Sequence, residues 1–115
     1  MVGLKMVRKF LLVVLIGFST LSSAGNVSNT TVSRVYCQYH NDGGMCSVFF
    51  AAPLSASCQT IAANRLQFEL NDEYGKGLLS IALTAYASKA KVNATGKNTC
   101  LIYPGLDDLK LIELI

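Results

Sequence analysis

Cys37, Cys46, Cys58 and Cys100 are the most reactive groups in this chain, and His40 is its only histidine. A thiolate nucleophile needs a free sulfur and a base beside it. Cys37 or Cys46 with His40 is the one such pair that the spacing offers. An even number of cysteines in a short chain points instead to two disulfides, which remove the thiol that this chemistry requires. Zinc is disfavoured because eight, eleven and 41 residues separate successive cysteines, without the close-spaced ligand pairs of structural sites. The neighbouring carboxylates Asp72 and Glu73, and Asp107 and Asp108, read as caps or solvated turn residues rather than an acid and base held across a cleft. Gly75-Lys76-Gly77 lacks both the spacing of a phosphate-binding loop and the hydroxyl residue after its lysine, and reads as a flexible helix entrance. These readings give no catalytic residue, no metal and no cofactor. What remains is one face of a β-like run, Arg34, Tyr36, Gln38 and His40, where aromatic and hydrogen-bonding groups interleave as they do on sheets that bind sugars or peptides. Its plainer alternative is the wet side of an antiparallel strand.

Compartment decides the fate of the sulfurs. Lys5, Arg8 and Lys9 precede the apolar run Phe10 to Phe18, and Ser22-Ser23-Ala24 follows as a small-residue cleavage site, which is the layout of a secretory signal over residues 1–24. The apolar run is nine residues long, too short for a retained anchor, which needs about 20. The expected mature chain begins at Gly25 and keeps 91 residues, one small domain. Of ten lysines and arginines, three lie in the leader, so the remainder balances at seven basic against seven acidic residues. A balanced chain lacks the basic excess that nucleic-acid binding needs. The expected location is secreted or periplasmic. There a modest core gains from cross-links. Four cysteines allow three pairings. Cys37 with Cys46 and Cys58 with Cys100 is favoured, because the first pair flanks a tight turn and the second ties distant strands together.

The elements that must position these groups follow from periodicity. Residues 25–31 (GNVSNTT) are small, polar and aperiodic, a flexible leader into a domain over 32–115. Asn26, Asn29 and Asn93 head glycosylation sequons that matter only in a eukaryotic secretory pathway. From Val32 to His40 the residues alternate, with Val35, Cys37 and Tyr39 inward; Asn41-Asp42-Gly43-Gly44 makes a turn; Met45 to Ala52 returns as the second arm of a hairpin that Pro53 ends. Arg65 to Leu70 is a third strand, with Leu66, Phe68 and Leu70 inward and Arg65, Gln67 and Glu69 outward. A helix is expected over about 76–88, with Leu78, Ile81, Ala82, Ala85 and Tyr86 on its apolar stripe and Leu79 and Leu83 widening it. Short β-like pieces follow at 91–95 and 99–103. Leu109 to Ile115 closes the chain as an apolar strand that must be paired. Strand, strand, strand, helix, strand, strand is the order of an OB-like Greek-key barrel of five strands, in a mostly β, α+β class. An open antiparallel sheet with one packed helix is the alternative.

The stretch Gly75 to Cys100 resembles small exported, largely uncharacterised bacterial proteins in which an aliphatic helix ends in an AYAS-like run, a strand begins with Lys-Val, and a glycine shortly precedes a cysteine. The matching residues are Ala85-Tyr86-Ala87-Ser88, Lys91-Val92, Gly96 and Cys100. In architecture and cysteine use the chain is also similar to the OB-fold B subunits of pentameric bacterial toxins. That resemblance implies an oligomer and a glycan ligand. The expected function is therefore an exported, non-enzymatic module that binds a glycan or a protein, the alternative being an assembly protein that pairs through its final strand.

Overall fold

The computed structural model describes residues 25–55, 58–61 and 63–115. The expected signal segment, residues 1–24, lies outside them. Six strands and one helix form in the order β1 (Asn26–Thr30), β2 (Val32–His40), β3 (Gly43–Phe50), β4 (Arg65–Glu69), α1 (Glu73–Ser88), β5 (Val92–Gly96) and β6 (Leu109–Leu114). They make two antiparallel three-stranded sheets, β1-β5-β6 and β2-β3-β4.

This corrects the expected barrel in two respects. Residues 26–30, read as part of a flexible leader, are a sixth strand: Val27 is buried and pairs opposite Ala94. The ladder also does not close into a barrel among the described residues. The sheets meet where Thr31 alone separates β1 from β2, and at one parallel bridge between Gln67 and Asp108. Helix α1 lies against both β2 and β6. The inner faces of both sheets close on α1 around Val32, Val48, Phe50, Leu66, Phe68, Val92, Leu109 and Ile112. Phe50 is fully buried, and burying such a side chain stabilises by roughly 1.5–3 kcal/mol.

Local chemistry explains most boundaries. Asn41 and Asp42 both take positive φ, at 49° and 62°, which gives β2 and β3 the two-residue turn whose twist matches a hairpin. The Asp72 carboxylate accepts from the Gly75 N–H at 2.8 Å and caps α1. The helix therefore begins at Glu73 and takes in Gly75, three residues before the expected start near Lys76. Gly75 is obligatory, since a Cβ there would sit 1.8 Å from the Glu69 carbonyl oxygen. Leu78, Ala82 and Ala85 are buried, whereas Leu83 and Tyr86 face outward, so the apolar stripe is narrower than its sequence. In β2, Val35 packs on the core, but Cys37 is exposed and Tyr39 is 76% exposed. The strand outruns the core that its alternation predicts.

The last third departs most from periodicity. Residues 99–103 form no strand, only an isolated bridge between Tyr103 and Leu106. In β6 the register slips between Leu109, opposite Gly96, and Leu111, opposite Thr95. The extra residue, Lys110, makes a bulge that turns Leu109 and Ile112 inward and leaves Leu111 and Leu114 exposed. Both favoured disulfides are present, Cys37–Cys46 across the hairpin and Cys58–Cys100 between two connecting segments, and they fit an oxidising environment. Among the described residues no cysteine is free, and no helix is long and apolar enough to cross a membrane.

Candidate binding site

Alternation places every second residue of β2, β3 and β4 on the side of their sheet away from the core. The register arranges them in rows: Arg34, Phe49 and Arg65; then Tyr36, Ser47 and Gln67; then Gln38, Met45 and Glu69; and last His40 opposite Gly43. These rows differ in accessibility. Arg34 is exposed and Tyr36, Phe49 and Arg65 are half-buried, while Met45, Ser47 and Gln67 are fully buried.

Residues 97–108 run past the buried end. That segment starts beside β5, reaches His40, and returns along the edge of β4, where the Asp107 carbonyl accepts from the Gln67 N–H at 3.0 Å. The ring of Tyr103 lies 5.9 Å from that of His40, and Nε2 of His40 is 3.0 Å from the Ile102 carbonyl oxygen. The Asp108 carboxylate holds the loop, accepting from Thr99 Oγ1 at 2.8 Å, Leu101 N at 3.1 Å and Ile102 N at 3.3 Å. The amides of Thr60 and Ile61 donate to the Gly105 carbonyl, and Cys58–Cys100 fastens the two connections together.

The open end is a cationic platform. The Arg34 guanidinium stands 4.9 Å from the centre of the Tyr36 ring and 5.2 Å from that of Phe49; the Arg65 guanidinium stands 5.5 and 5.2 Å from the same two rings. The rings themselves lie 5.9 Å apart. Each guanidinium gains from the negative face of the rings. Arg65 is positioned further by hydrogen bonds: Nη2 donates to the Tyr36 hydroxyl at 2.7 Å and Nε to Gln67 Oε1 at 3.1 Å. Gln67 is fixed in turn, accepting from the Ser47 hydroxyl and donating to Met45 Sδ. Neither arginine has a carboxylate partner; among the described residues the one ion pair is Lys76 with Glu73. The nearest row with an acid is that of Glu69, which Asn71 engages at 2.7 Å.

The structure therefore divides the four residues expected from sequence. It brings Arg34 and Tyr36 together, leaves Gln38 exposed in the next row but one from Arg34, and withdraws His40 into contacts with residues 102 and 103. It adds Phe49, Arg65 and, beneath them, Gln67. Arg65 and Gln67 were legible as outward positions of their strand, but only the pairing of β3 with β4 shows that they adjoin Tyr36. Of the carboxylate neighbours, Asp72 and Asp108 act as caps. Asp107 is fully buried, contrary to the reading of it as a capping or solvated turn residue, because the segment after Gly105 runs between the two sheets. The chain matches no protein-family model, and no curated protein or solved structure is significantly similar to it.

Proposed function

We propose that the chain is an exported, non-enzymatic binding module, secreted or periplasmic, that holds a glycan or a protein on the Arg34–Tyr36–Phe49–Arg65 platform. The supporting observation is the pairing of two guanidinium groups, neither with a carboxylate partner, with two aromatic rings, Arg34 being exposed and the other three side chains half-buried. Aromatic faces stack against the C–H faces of sugar rings, and a guanidinium grips a carboxylate with two parallel hydrogen bonds. The platform thus favours an acidic ligand over a neutral one. Two arginines among residues 25–115, whose seven basic and seven acidic residues balance, make a local recognition point, unlike the long basic face of a nucleic-acid binder. In this reading the chain shares with toxin B subunits a role, glycan binding, and not their closed barrel. The non-enzymatic part is supported by the occupations of the groups that acid–base chemistry would use: His40 is engaged by Ile102, the cysteines are paired, and Asp72 and Asp108 cap backbone amides. The test is binding to arrayed acidic and neutral glycans, and pull-down of protein ligands, by wild type, Arg34→Ala and Tyr36→Ala. Both variants should fold normally and lose at least tenfold in affinity. A wild type that binds nothing in either assay removes the reading.

A second reading is favoured by the β6 edge. Leu111 and Leu114 are 44% and 45% exposed on a strand with a free side, and Leu111 adjoins Tyr74, Leu78 and Ile81 of α1 in an open apolar groove. A chain that assembles by adding a strand there would use these residues. Size-exclusion chromatography with light scattering distinguishes the two readings, a strict monomer counting against assembly.

A further inference from the structure

Asp107 carries a carboxylate that its surroundings do not compensate. It is fully buried, and its Oδ1 has no hydrogen-bond partner among the described residues. No lysine, arginine or histidine among them pairs with it. Its backbone is held on both sides: its N–H donates to Gln59 Oε1 at 3.3 Å and its carbonyl accepts from Gln67. Among the described residues the one partner of its side chain is the nitrogen of Gly25, which donates to Oδ2 at 3.2 Å. A peptide N–H is neutral and supplies one hydrogen, whereas a buried carboxylate is tolerated when a charged partner meets it.

The site around this contact is built to admit it. Gly25 is buried at the head of β1, and its carbonyl accepts from the Gly96 N–H at 2.7 Å. Gly96 faces the carboxylate, and a Cβ there would fall 2.4 Å from Oδ2 and 3.0 Å from Oδ1. A side chain at this position would therefore evict the carboxylate. The residue that meets Asp107 is also the one that follows the small-residue run Ser22-Ser23-Ala24, where a leader would be cut.

We propose that the Ala24–Gly25 peptide bond is the processing point of this chain, and that the ammonium released at Gly25 is the charged partner of Asp107. A leader peptidase of the export pathway would add water across the bond: the Ala24 carbonyl gains the oxygen and leaves as a carboxylate, and the Gly25 nitrogen keeps the electron pair and becomes –NH₃⁺. The new group carries three hydrogens and a full charge where the peptide had one hydrogen and none, enough to serve both oxygens of Asp107. The mature fold is thereby stabilised by the cut that frees it. This inference rests on the export half of the proposed function and is independent of the binding half.

The experiment compares the chain processed in an exporting host, the same material after selective acetylation of its α-amine, and the full chain refolded oxidatively with its leader attached, each with Asp107 and with Asp107→Asn. N-terminal sequencing of the processed chain should read Gly-Asn-Val. Its melting temperature should exceed those of the other two by about 5 °C or more, and Asp107→Asn should abolish the difference. Should Asp107→Asn not fold, the wild type still decides, because the Gly25 amine should acylate about tenfold more slowly in the folded chain than in urea, as a paired, buried ammonium must. A different first residue overturns the processing point and bears on the export reading. Equal melting of the three wild-type forms, or equal amine reactivity folded and unfolded, overturns the ion pair alone and leaves both export and ligand binding standing.

Discussion

On the outer side of the β2-β3-β4 sheet, two ends only a few residues apart have opposite fates. At one end Met45 and Gln67 are buried, with residues 97–108 bonded to the edge of β4 and drawn against His40; at the other, exposed Arg34 and half-buried Arg65 stand over Tyr36 and Phe49. Both ends read as the polar side of half-buried strands. The reach of one irregular connection separates them, so a face that alternation marks as wet becomes a small second core over half its length and a platform over the rest. The two are also joined, since Gln67 lies in the covered half while its Oε1 holds Nε of Arg65.

The largest perturbation of this contrast is loss of the fastening between the cover and residues 58–61. Replacing Cys58 and Cys100 by serine opens a link between residues 42 apart, and should cost about 4 kcal/mol by loop entropy. Urea unfolding measures the loss, and amide exchange at Gln67 should quicken as its bond to Asp107 frays. Met45→Ala attacks the covered end directly. A fully buried methionine truncated in this way costs about 2–5 kcal/mol, and ligand binding should survive, which calorimetric unfolding beside a binding assay would show. At the open end the balance reverses: Arg65→Ala should weaken binding of an acidic ligand at least tenfold, with a stability change of about 1 kcal/mol. A variant that loses both equally would mean that the platform is part of the fold's support rather than a recognition surface.

The smallest effect belongs to the hairpin tip, outside both ends. Tyr39 donates to Asp42 Oδ1 at 2.6 Å, and this hydrogen bond to the neutral phenol raises its pKa above the ordinary value. The group holds its proton more tightly folded than unfolded. Any stabilisation it gives is complete below the unfolded phenol's pKa and is lost as pH climbs through the raised one. Ultraviolet titration should show Asp42→Ala returning the phenol toward its usual range, with the platform's binding unchanged.

What could be read in advance was what is local. The β2–β3 hairpin, its turn at Asn41-Asp42, the cross-strand disulfide and the inward Leu66 and Phe68 all follow from spacing over a few residues. Strand β1 was missed because GNVSNTT offers Val27 as its single large apolar residue, and its strand character comes from β5, which lies more than 60 residues away. The exposed Leu111 was hidden by a bulge at Lys110 that only the partner strand reveals. Arg34 and Tyr36 were visible on one face of β2, but their neighbours Phe49 and Arg65 depend on strand register. Asp107 looked like a turn residue, and its burial is set by the far end of the domain.

The two sheets also differ in when they can exist. Strands β2, β3 and β4 are consecutive, so a nascent chain can assemble them as they emerge, whereas β5 waits for α1 and must then receive β1 on one side and β6 on the other. Closing such a distant pairing is slow compared with forming a hairpin. A chain threaded through a narrow channel therefore cannot finish its second sheet until the last strand is out. For the export proposed above, delayed completion of that kind would keep the chain pliable in transit, and the second sheet would lock once the last strand emerged.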